Sequence, residues 1–177
     1  MAHKTGWLLG GLLCLSLLPA FAHAQSPERM EEIGKIFLEN LERELGPDST
    51  GTAFFLIRQA GYIRAQGRYA EAESFHKRAL AIREKEFFRD NPRTAHSLHN
   101  LALVYQDQGR HAEAEPLYLR ALAIWEKSLG PDLLYEAMSL ESYANLLQTT
   151  GRGPEALKKK ARARALRAKH AKETATK

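Results

Sequence analysis

The amino-acid sequence predicts an all-α protein made of repeated helix hairpins, and the main reason is a phrase that occurs twice. Residues 67–85, GRYAEAESFHKRALAIREK, return as residues 109–127, GRHAEAEPLYLRALAIWEK, with only six of nineteen positions changed. Gly67, Gly109 and Gly151 lie 42 residues apart, and each is followed by arginine. Apolar residues between these glycines recur at steps of three and four, the period of an amphipathic helix. A fixed period of this length is typical of stacked helical repeats.

The first predicted element is a single helix that forms the second half of an incomplete repeat. It occupies residues 25–45, and its apolar stripe comprises Met30, Ile33, Phe37, Leu41 and Leu45. The 42-residue register aligns it with the second helices of the later units, so the first helix of its own unit would fall within residues 1–24. We therefore expect the array to begin on half a repeat.

Residues 46–151 are predicted to hold the complete repeats, each a pair of helices. In the middle unit the first helix buries Ala95, Leu98, Leu101, Ala102 and Tyr105, and the second buries Ala114, Leu117, Ala121, Leu122 and Ile124. Gly109 lies between them, where a helix ends most easily in a left-handed conformation. Larger side chains at the crossing would force the paired helices apart. Small residues recur there in all units: Ala60, Ala102 and Ala144 are expected to face Ala72, Ala114 and Ala156.

Residues 152–177 are predicted to form a basic helical cap and tail with a net charge of +8. Lys159 and Arg164 occupy core positions of the other copies, so this helix lacks an apolar face. Two interpretations stay open. A polar last helix keeps a repeat array soluble, and a basic helix can also dock on an anionic membrane surface, where each cation contributes about 1 kcal/mol. A basic run without interleaved aromatic residues is weak support for nucleic-acid binding, which we do not expect.

Residues 1–24, MAHKTGWLLGGLLCLSLLPAFAHA, have the pattern of a secretory signal peptide. Lys4 precedes an apolar run over residues 7–18, and Ala22-His23-Ala24 supplies a small-residue cleavage site. The apolar run is shorter than the roughly 20 residues that span a bilayer. We therefore expect export, to a bacterial periplasm or the exterior, as a chain that begins near Gln25. Cleavage would remove Cys14, the only cysteine, which excludes disulfides and cysteine-type zinc sites.

The repeated unit resembles the tetratricopeptide repeat in its 42-residue form, as found in kinesin light chains and many bacterial proteins. The phrases that carry the resemblance are SLHNLALVYQDQGRHAEAEPLYLRALAIWEKSLGPD and GRYAEAESFHKRALAIREK, and the match is strongest over residues 53–132. The resemblance implies a right-handed superhelical array of helix hairpins with a concave groove. It also implies a role in binding peptides or other proteins.

The expected groove consists of the first-helix positions that remain once the core face is assigned. These candidate binding residues are Phe54, Ile57, Arg58 and Arg64 in the first unit, His96, His99, Asn100, Leu103, Gln106 and Asp107 in the second, and Glu141 and Asn145 in the third. Asn100 matches a groove asparagine of the resembled family, whose carboxamide both donates to and accepts from the backbone of an extended ligand. Asn145 is expected to serve likewise. A merely solvated helix face is the alternative.

Charge predicts a direction for the bound peptide. Arg58 and Arg64 are expected to make one end of the groove basic, and Asp107 and Glu141 to make the other end acidic. The acidic end of an extended ligand would then lie over the first unit, with apolar side chains near Phe54 and Ile57.

Enzyme chemistry finds no support in the sequence, which lacks phosphate-binding, nucleophile-elbow and zinc-protease motifs. No cofactor is expected. The acids Glu71, Glu73, Glu113 and Glu115 recur with the repeat, and we interpret them as solvated faces paired with neighbouring basic residues. A metal site would need another ligand such as Asp107 beside His96 and His99, so histidines that line the groove are favoured.

Two classes of function remain open from the sequence. The first is a module that binds a segment of another envelope or secreted protein, as an adaptor, assembly factor or chaperone does. The second is a structural subunit that stacks on copies of itself, or a surface-docking protein led by the basic tail.

Overall fold

The computed structural model describes residues 27–87, 90–128 and 133–175, and within them the chain forms seven α-helices and no strand. The predicted signal peptide, residues 1–24, lies outside the described residues. The helices are α1 (Pro27–Leu45), α2 (Thr50–Ala65), α3 (Tyr69–Phe87), α4 (Pro92–Asp107), α5 (His111–Lys127), α6 (Leu133–Thr149) and α7 (Gly153–Ala175).

The chain divides into two compact units, with the boundary between Glu44 and Leu45. The described part of the first unit is α1, which forms where the sequence predicts a single helix. Ile33, Ile36 and Phe37 of α1 are exposed. Within the described ranges, no helix is both long enough and apolar enough to cross a bilayer.

The second unit, residues 45–177, consists of three helix hairpins, namely α2 with α3, α4 with α5, and α6 with α7. Each hairpin packs on the next, because α3 contacts α4 and α5 contacts α6. The first helices also touch in succession, α2 against α4 and α4 against α6. The predicted all-α array of repeated hairpins is confirmed.

The predicted small-residue crossings are fully buried in the hairpins. Ala60 packs in one cluster with Ala72, and Ala102, Ala114, Ala144 and Ala156 share another. All six alanines are 0% exposed. The predicted core of the middle unit is also confirmed, except that Leu117 and Leu122 are only partly buried.

The hairpin turns have one geometry in all three repeats, because a glycine with positive φ ends each first helix. Gly67, Gly109 and Gly151 have φ of 77°, 72° and 79°. After Gly109, the Arg110 amide donates to the Tyr105 carbonyl at 2.9 Å, while the Gly109 amide donates to Gln106 at 2.9 Å. This pair of bonds satisfies carbonyls that the end of the helix would otherwise leave unpaired.

Each pair of neighbouring hairpins is joined by a partly buried carboxylate. Glu73 accepts hydrogen bonds from Tyr105 at 3.2 Å and from Arg110 at 2.5 Å. Glu115 accepts them from Tyr143 at 2.6 Å and from Arg152 at 2.6 Å. The predicted pairing of these acids with basic residues is confirmed, but their interpretation as solvated is wrong, because the Glu73 and Glu115 side chains are only 14% and 28% exposed and join successive repeats.

Helix α7 closes the array with a predominantly polar surface, as its sequence predicts. Only Ala156 and Ala163 are buried along its length. Ion pairs hold it against α6, from Arg162 to Glu136 at 2.6 Å and from Arg167 to Glu141 at 2.8 Å. Part of its positive charge is therefore neutralised by ion pairs with α6.

Candidate ligand-binding cleft

A cleft of about 590 Å³ opens at the amino-terminal ends of the first helices, within the second unit. Helices α2, α4 and α6 supply its sides, and the carboxyl-terminal halves of α3 and α5 each contribute one residue. Its lining comprises Thr50, Gly51, Phe54, Ile57, Arg58, Arg83, Pro92, Arg93, His96, Trp125 and Tyr135. The volume is in the range of clefts that bind small ligands or side chains.

The cleft is built from equivalent positions of successive repeats. Gly51, Arg93 and Tyr135 lie 42 residues apart, as do Arg83 and Trp125. Equivalent positions share one place in each hairpin, so the repeat brings them to the same side of the array. The residue types at these equivalent positions all differ, so the cleft is lined by several kinds of side chain.

Four aromatic side chains contribute to the walls of the cleft, those of Phe54, His96, Trp125 and Tyr135. Phe54 and Tyr135 are 57% and 48% exposed, so their rings are available to a ligand. The rings of His96 and Tyr135 lie 5.3 Å apart, which joins the sides supplied by α4 and α6. Trp125 is buried and lies 6.2 Å from the His99 ring.

Arg83 is a buried cation in the lining, only 6% exposed. Its Nη1 donates to the Arg93 carbonyl at 2.6 Å and to the Ser97 hydroxyl at 3.2 Å. Its buried Nε–H has no acceptor among the described residues. Burial and the nearby charge of Arg93 lower the pKa of Arg83 to about 10, so the guanidinium stays charged at neutral pH.

Four of the predicted groove residues meet in this cleft: Phe54, Ile57, Arg58 and His96. Ile57 was expected on the open face, but its side chain is buried, only 8% exposed, at the lining of the cleft. Burial lowers the pKa of the His96 imidazole, with a further contribution from Arg83.

The predicted separation of charge along the groove is wrong for three of its four residues. Arg64 Nε donates to Asp107 Oδ2 at 2.5 Å, so the supposed basic and acidic ends touch. Glu141 receives two hydrogen bonds from Arg167, each at 2.8 Å. These three charges are compensated within the chain, which leaves the exposed Arg58 as the one of the four with no ion pair to another described residue.

The remaining predicted residues lie away from the cleft. Gln106 accepts a hydrogen bond from Tyr118 at 2.8 Å. Leu103 packs against the buried cluster that includes Ala102 and Ala114. Asn145 is exposed and Asn100 is half-buried, and the Asn100 side chain makes no hydrogen bond to another described residue. The two asparagines lie outside the cleft lining, and their role in ligand binding stays a prediction.

His99 is buried inside its own hairpin, only 5% exposed, with its ring 5.8 Å from Tyr118. His76 of α3 is equally buried, and the Nδ1 atoms of both have no partner within the described chain. Burial lowers the pKa of each imidazole to about 4, with contributions from Arg64 and His96. Among the described residues, no three His, Cys, Asp or Glu side chains are grouped to hold a metal.

Sequence reasoning missed Arg83, Arg93, Trp125 and Tyr135. The signal for the first of these was present, since Arg83 and Trp125 form one of the six differences between residues 67–85 and 109–127. Both belong to second helices, whereas the groove was assigned to first helices alone. Arg93 and Tyr135 lie in the first turns of α4 and α6, before the apolar period makes a face assignment clear.

A family model described as tetratricopeptide repeat matches residues 51–115 and 93–169, which together make up more than half of the chain. The chain belongs to the tetratricopeptide repeat family. No curated protein sequence matches this tetratricopeptide repeat (TPR) protein.

Solved structures similar to this TPR protein include kinesin-light-chain-like proteins. BtubC (BKLC) from P. vanneervenii superimposes with a TM-score of 0.73 at 20% identity, over 80% of this chain and 56% of that one. A Podosopora anserina protein of kinesin-light-chain type, with nearly identical TPR-like repeats, gives 0.63 at 24% identity, over 82% and 71%. A variant of that protein with one substitution gives 0.68 at 22% identity, over 87% and 74%. At these identities the likeness shows the fold, and the chain spans just over half the length of BtubC.

The TPR fold indicates a module for protein–protein interaction, since repeats of this kind present extended binding surfaces. TPR repeats are in general non-catalytic scaffolds.

Proposed function

We propose that this TPR protein is an exported module that binds a segment of another envelope or secreted protein. The observation that carries the proposal is the aromatic cleft, which adjoins a first-helix face bearing Asn100 and Asn145. Export rests on the signal-peptide pattern of residues 1–24. An adaptor, an assembly factor and a chaperone would all use such a surface.

The proposed binding mode has two parts, an apolar contact in the cleft and hydrogen bonds along the first helices. An apolar side chain of the partner would enter between Phe54 and Tyr135, since both rings are exposed. The backbone beyond it would follow the first helices, where the carboxamides of Asn100 and Asn145 supply donors and acceptors. Because most of the charge on this face is already paired, apolar contact rather than charge would supply most of the affinity.

The test is partner capture from a cell-envelope extract, using the tagged protein and two variants. Asn100→Ala combined with Asn145→Ala removes the two carboxamides that would bind the ligand backbone. Phe54→Ala combined with Tyr135→Ala removes the two rings that would contact its apolar side chain. We expect either pair to abolish capture of the partner that the unaltered protein retains, with the melting temperature of the asparagine variant unchanged. Arg58→Glu should weaken capture mainly at low salt, where charge pairing is least screened.

Full retention of the partner by both double variants would reject the cleft and its adjoining face. It would favour the structural or tail-led alternatives, in which α7 docks on an anionic surface or the protein stacks on itself. Export has a separate test, because an N-terminal sequence beginning near Gln25 in the exported fraction is expected and an intact Met1 would contradict it.

A further inference from the structure

Arg83 is a charged side chain held in the interior of the fold, only 6% exposed. A buried cation is expensive to desolvate unless it is paired and its donors are satisfied. Arg83 has no carboxylate in contact within the described chain, and its Nε–H lacks an acceptor. The equivalent position of the next repeat is Trp125, so the fold accommodates an apolar residue there. Packing alone therefore does not account for the arginine.

The surroundings of Arg83 point to a negatively charged ligand. Three of the lining residues are arginines, namely Arg58, Arg83 and Arg93, and none of the described lining residues is acidic. The carboxylate of Glu86 accepts a hydrogen bond from Thr50 at the margin, but Glu86 is not part of the lining. Arginine suits this task because its planar fork matches the two oxygens of a carboxylate.

The walls specify the rest of the ligand. Phe54, Trp125 and Tyr135 line the same cleft as Arg83, with Phe54 and Tyr135 exposed and Trp125 buried. Arg93 is already placed over the Phe87 ring, with its Cζ 4.9 Å from the ring centroid. This leaves Arg83 and the exposed Arg58 as the cations best placed to receive an anion.

We propose that the cleft binds an aromatic carboxylate, with the carboxylate on Arg83 and the ring against Trp125 and Tyr135. The carboxylate would supply the acceptor that Nε lacks, after a small movement of the buried side chain. The group could come from a free aromatic acid or from adjacent acidic and aromatic residues of a protein segment. The proposal does not depend on the partner proposed above, because it concerns a ligand chemistry that a small probe can test alone.

Tryptophan fluorescence reports on this site directly. The chain has two tryptophans, so a full-length protein carrying Trp7→Phe keeps Trp125 as its single fluorophore. We would titrate this protein with 3-phenylpropionate and, in parallel, with its uncharged amide. The expected result is a saturable change in emission with the acid, and at least tenfold weaker binding of the amide. Equal affinities for acid and amide would overturn the proposal without any cleft variant being needed.

Variants then assign the carboxylate to Arg83. Arg83→Gln should weaken binding of the acid at least tenfold, while Arg164→Gln, an equal change of charge on the exposed face of α7, should leave it unchanged. Equal binding by Arg83→Gln and the parent protein would refute the assignment. If Arg83→Gln loses helicity, Arg58→Ala, at an exposed cleft position, replaces it with the same expectation of weaker binding.

A blocked dipeptide, acetyl-Phe-Glu-amide, separates the two sources of the ligand. Tighter binding of the dipeptide than of the free acid would identify a protein segment as the source, and the reverse would identify a small aromatic acid. Both outcomes support the shared chemistry. Failure of partner capture with retained acid binding would reject the proposed function alone.

Discussion

The first two hairpins, α2 with α3 and α4 with α5, use nearly the same second-helix sequence but place different chemistry in the interior. Glu73 and Glu115 repeat, and each joins its hairpin to the next through a tyrosine and an arginine. Arg83 and Trp125 differ, and both line the cleft. The residues that repeat thus hold the hairpins together, and we call them the frame. The buried positions at which the two hairpins differ determine the chemistry of the cleft.

A second buried difference follows the same rule. His76 of α3 and Tyr118 of α5 are equivalent, and both are almost fully buried. Tyr118 donates to Gln106, whereas the Nδ1 of His76 has no partner within the described chain. At both pairs of equivalent positions, Arg83 with Trp125 and His76 with Tyr118, the first hairpin therefore has the buried side chain with an unpaired nitrogen.

The largest predicted effect is acid destabilisation through His76 and His99. Burial lowers their pKa to about 4 from an ordinary 6.5. The unfolded chain therefore takes up protons below pH 6.5 that the folded chain refuses until about pH 4. Stability that is complete above pH 6.5 is lost as the pH falls. Between pH 7 and pH 5 the loss is on the order of 2 kcal/mol per histidine, measured by urea unfolding.

The variant that sharpens this prediction is His76→Leu, which removes the titrating group without creating a buried donor. It should lose about half of the stability change between pH 7 and pH 5 and remain folded at pH 7. An unchanged slope would show that the two imidazoles are not the cause.

The next prediction concerns the shared frame. Ala102→Leu adds a branched side chain at a crossing that is 0% exposed, so it should overpack the middle hairpin and cost about 1–3 kcal/mol. Ala112→Leu adds the same atoms at an exposed position of α5 and should change stability little. Urea unfolding of both variants gives the comparison. A harmless Ala102→Leu would contradict the tight helix crossing.

The frame was predictable because it depends on short-range rules that the sequence repeats. Gly109 ends α4 with positive φ, and Ala60, Ala102 and Ala144 mark the crossings. These glycine and alanine positions act within one hairpin and recur in every repeat, so agreement between the repeats supports each assignment. The polar character of α7 followed in the same way from Lys159 and Arg164 at core positions.

The site was predictable only in part because a face assignment treats each helix alone. Arg64 and Asp107 were placed at opposite ends of a groove, yet α2 and α4 pack side by side, so the carboxyl-terminal ends of both helices meet. Arg83 and Trp125 reach the cleft from second helices, a contribution that depends on packing between hairpins. The period of one helix contains neither kind of information.

A smaller effect tests whether the two hairpin junctions are equivalent. Burial opposes ionisation of Glu73, but hydrogen bonds from Lys77, Arg110 and Gln108 outweigh it and hold its pKa at about 2. The hydrogen bonds from Tyr143 and Arg152 lower the pKa of Glu115 as well. Because the folded-state pKa is depressed, this stability is present above about pH 4.5 and lost as the pH falls further.

Glu73→Gln and Glu115→Gln should each cost about 1–2 kcal/mol at pH 7, because hydrogen bonds to a charged group weaken while the shape is kept. Glu113→Gln, at an exposed site that also pairs with Arg110, should cost less than about 1 kcal/mol. Thermal or urea unfolding measures all three. A loss of stability in only one of the two junction variants would show that the two junctions do not contribute equally.

The smallest expected change in stability is at Arg83, although its effect on ligand binding should be large. Arg83→Met removes a desolvated cation and fills the space with an apolar side chain, an exchange that is often neutral or stabilising. The Ser97 hydroxyl would lose the hydrogen bond from Nη1, but it can turn to the Arg93 carbonyl one helical turn earlier. We therefore expect Arg83→Met to unfold at the same urea concentration as the parent protein, or to gain up to about 1 kcal/mol, while losing 3-phenylpropionate binding. Such a result would mark Arg83 as a residue kept for binding at the expense of stability. A loss of more than about 1 kcal/mol would instead assign the guanidinium to the frame, and the two hairpins would then differ in how they are held together and not only in what they bind.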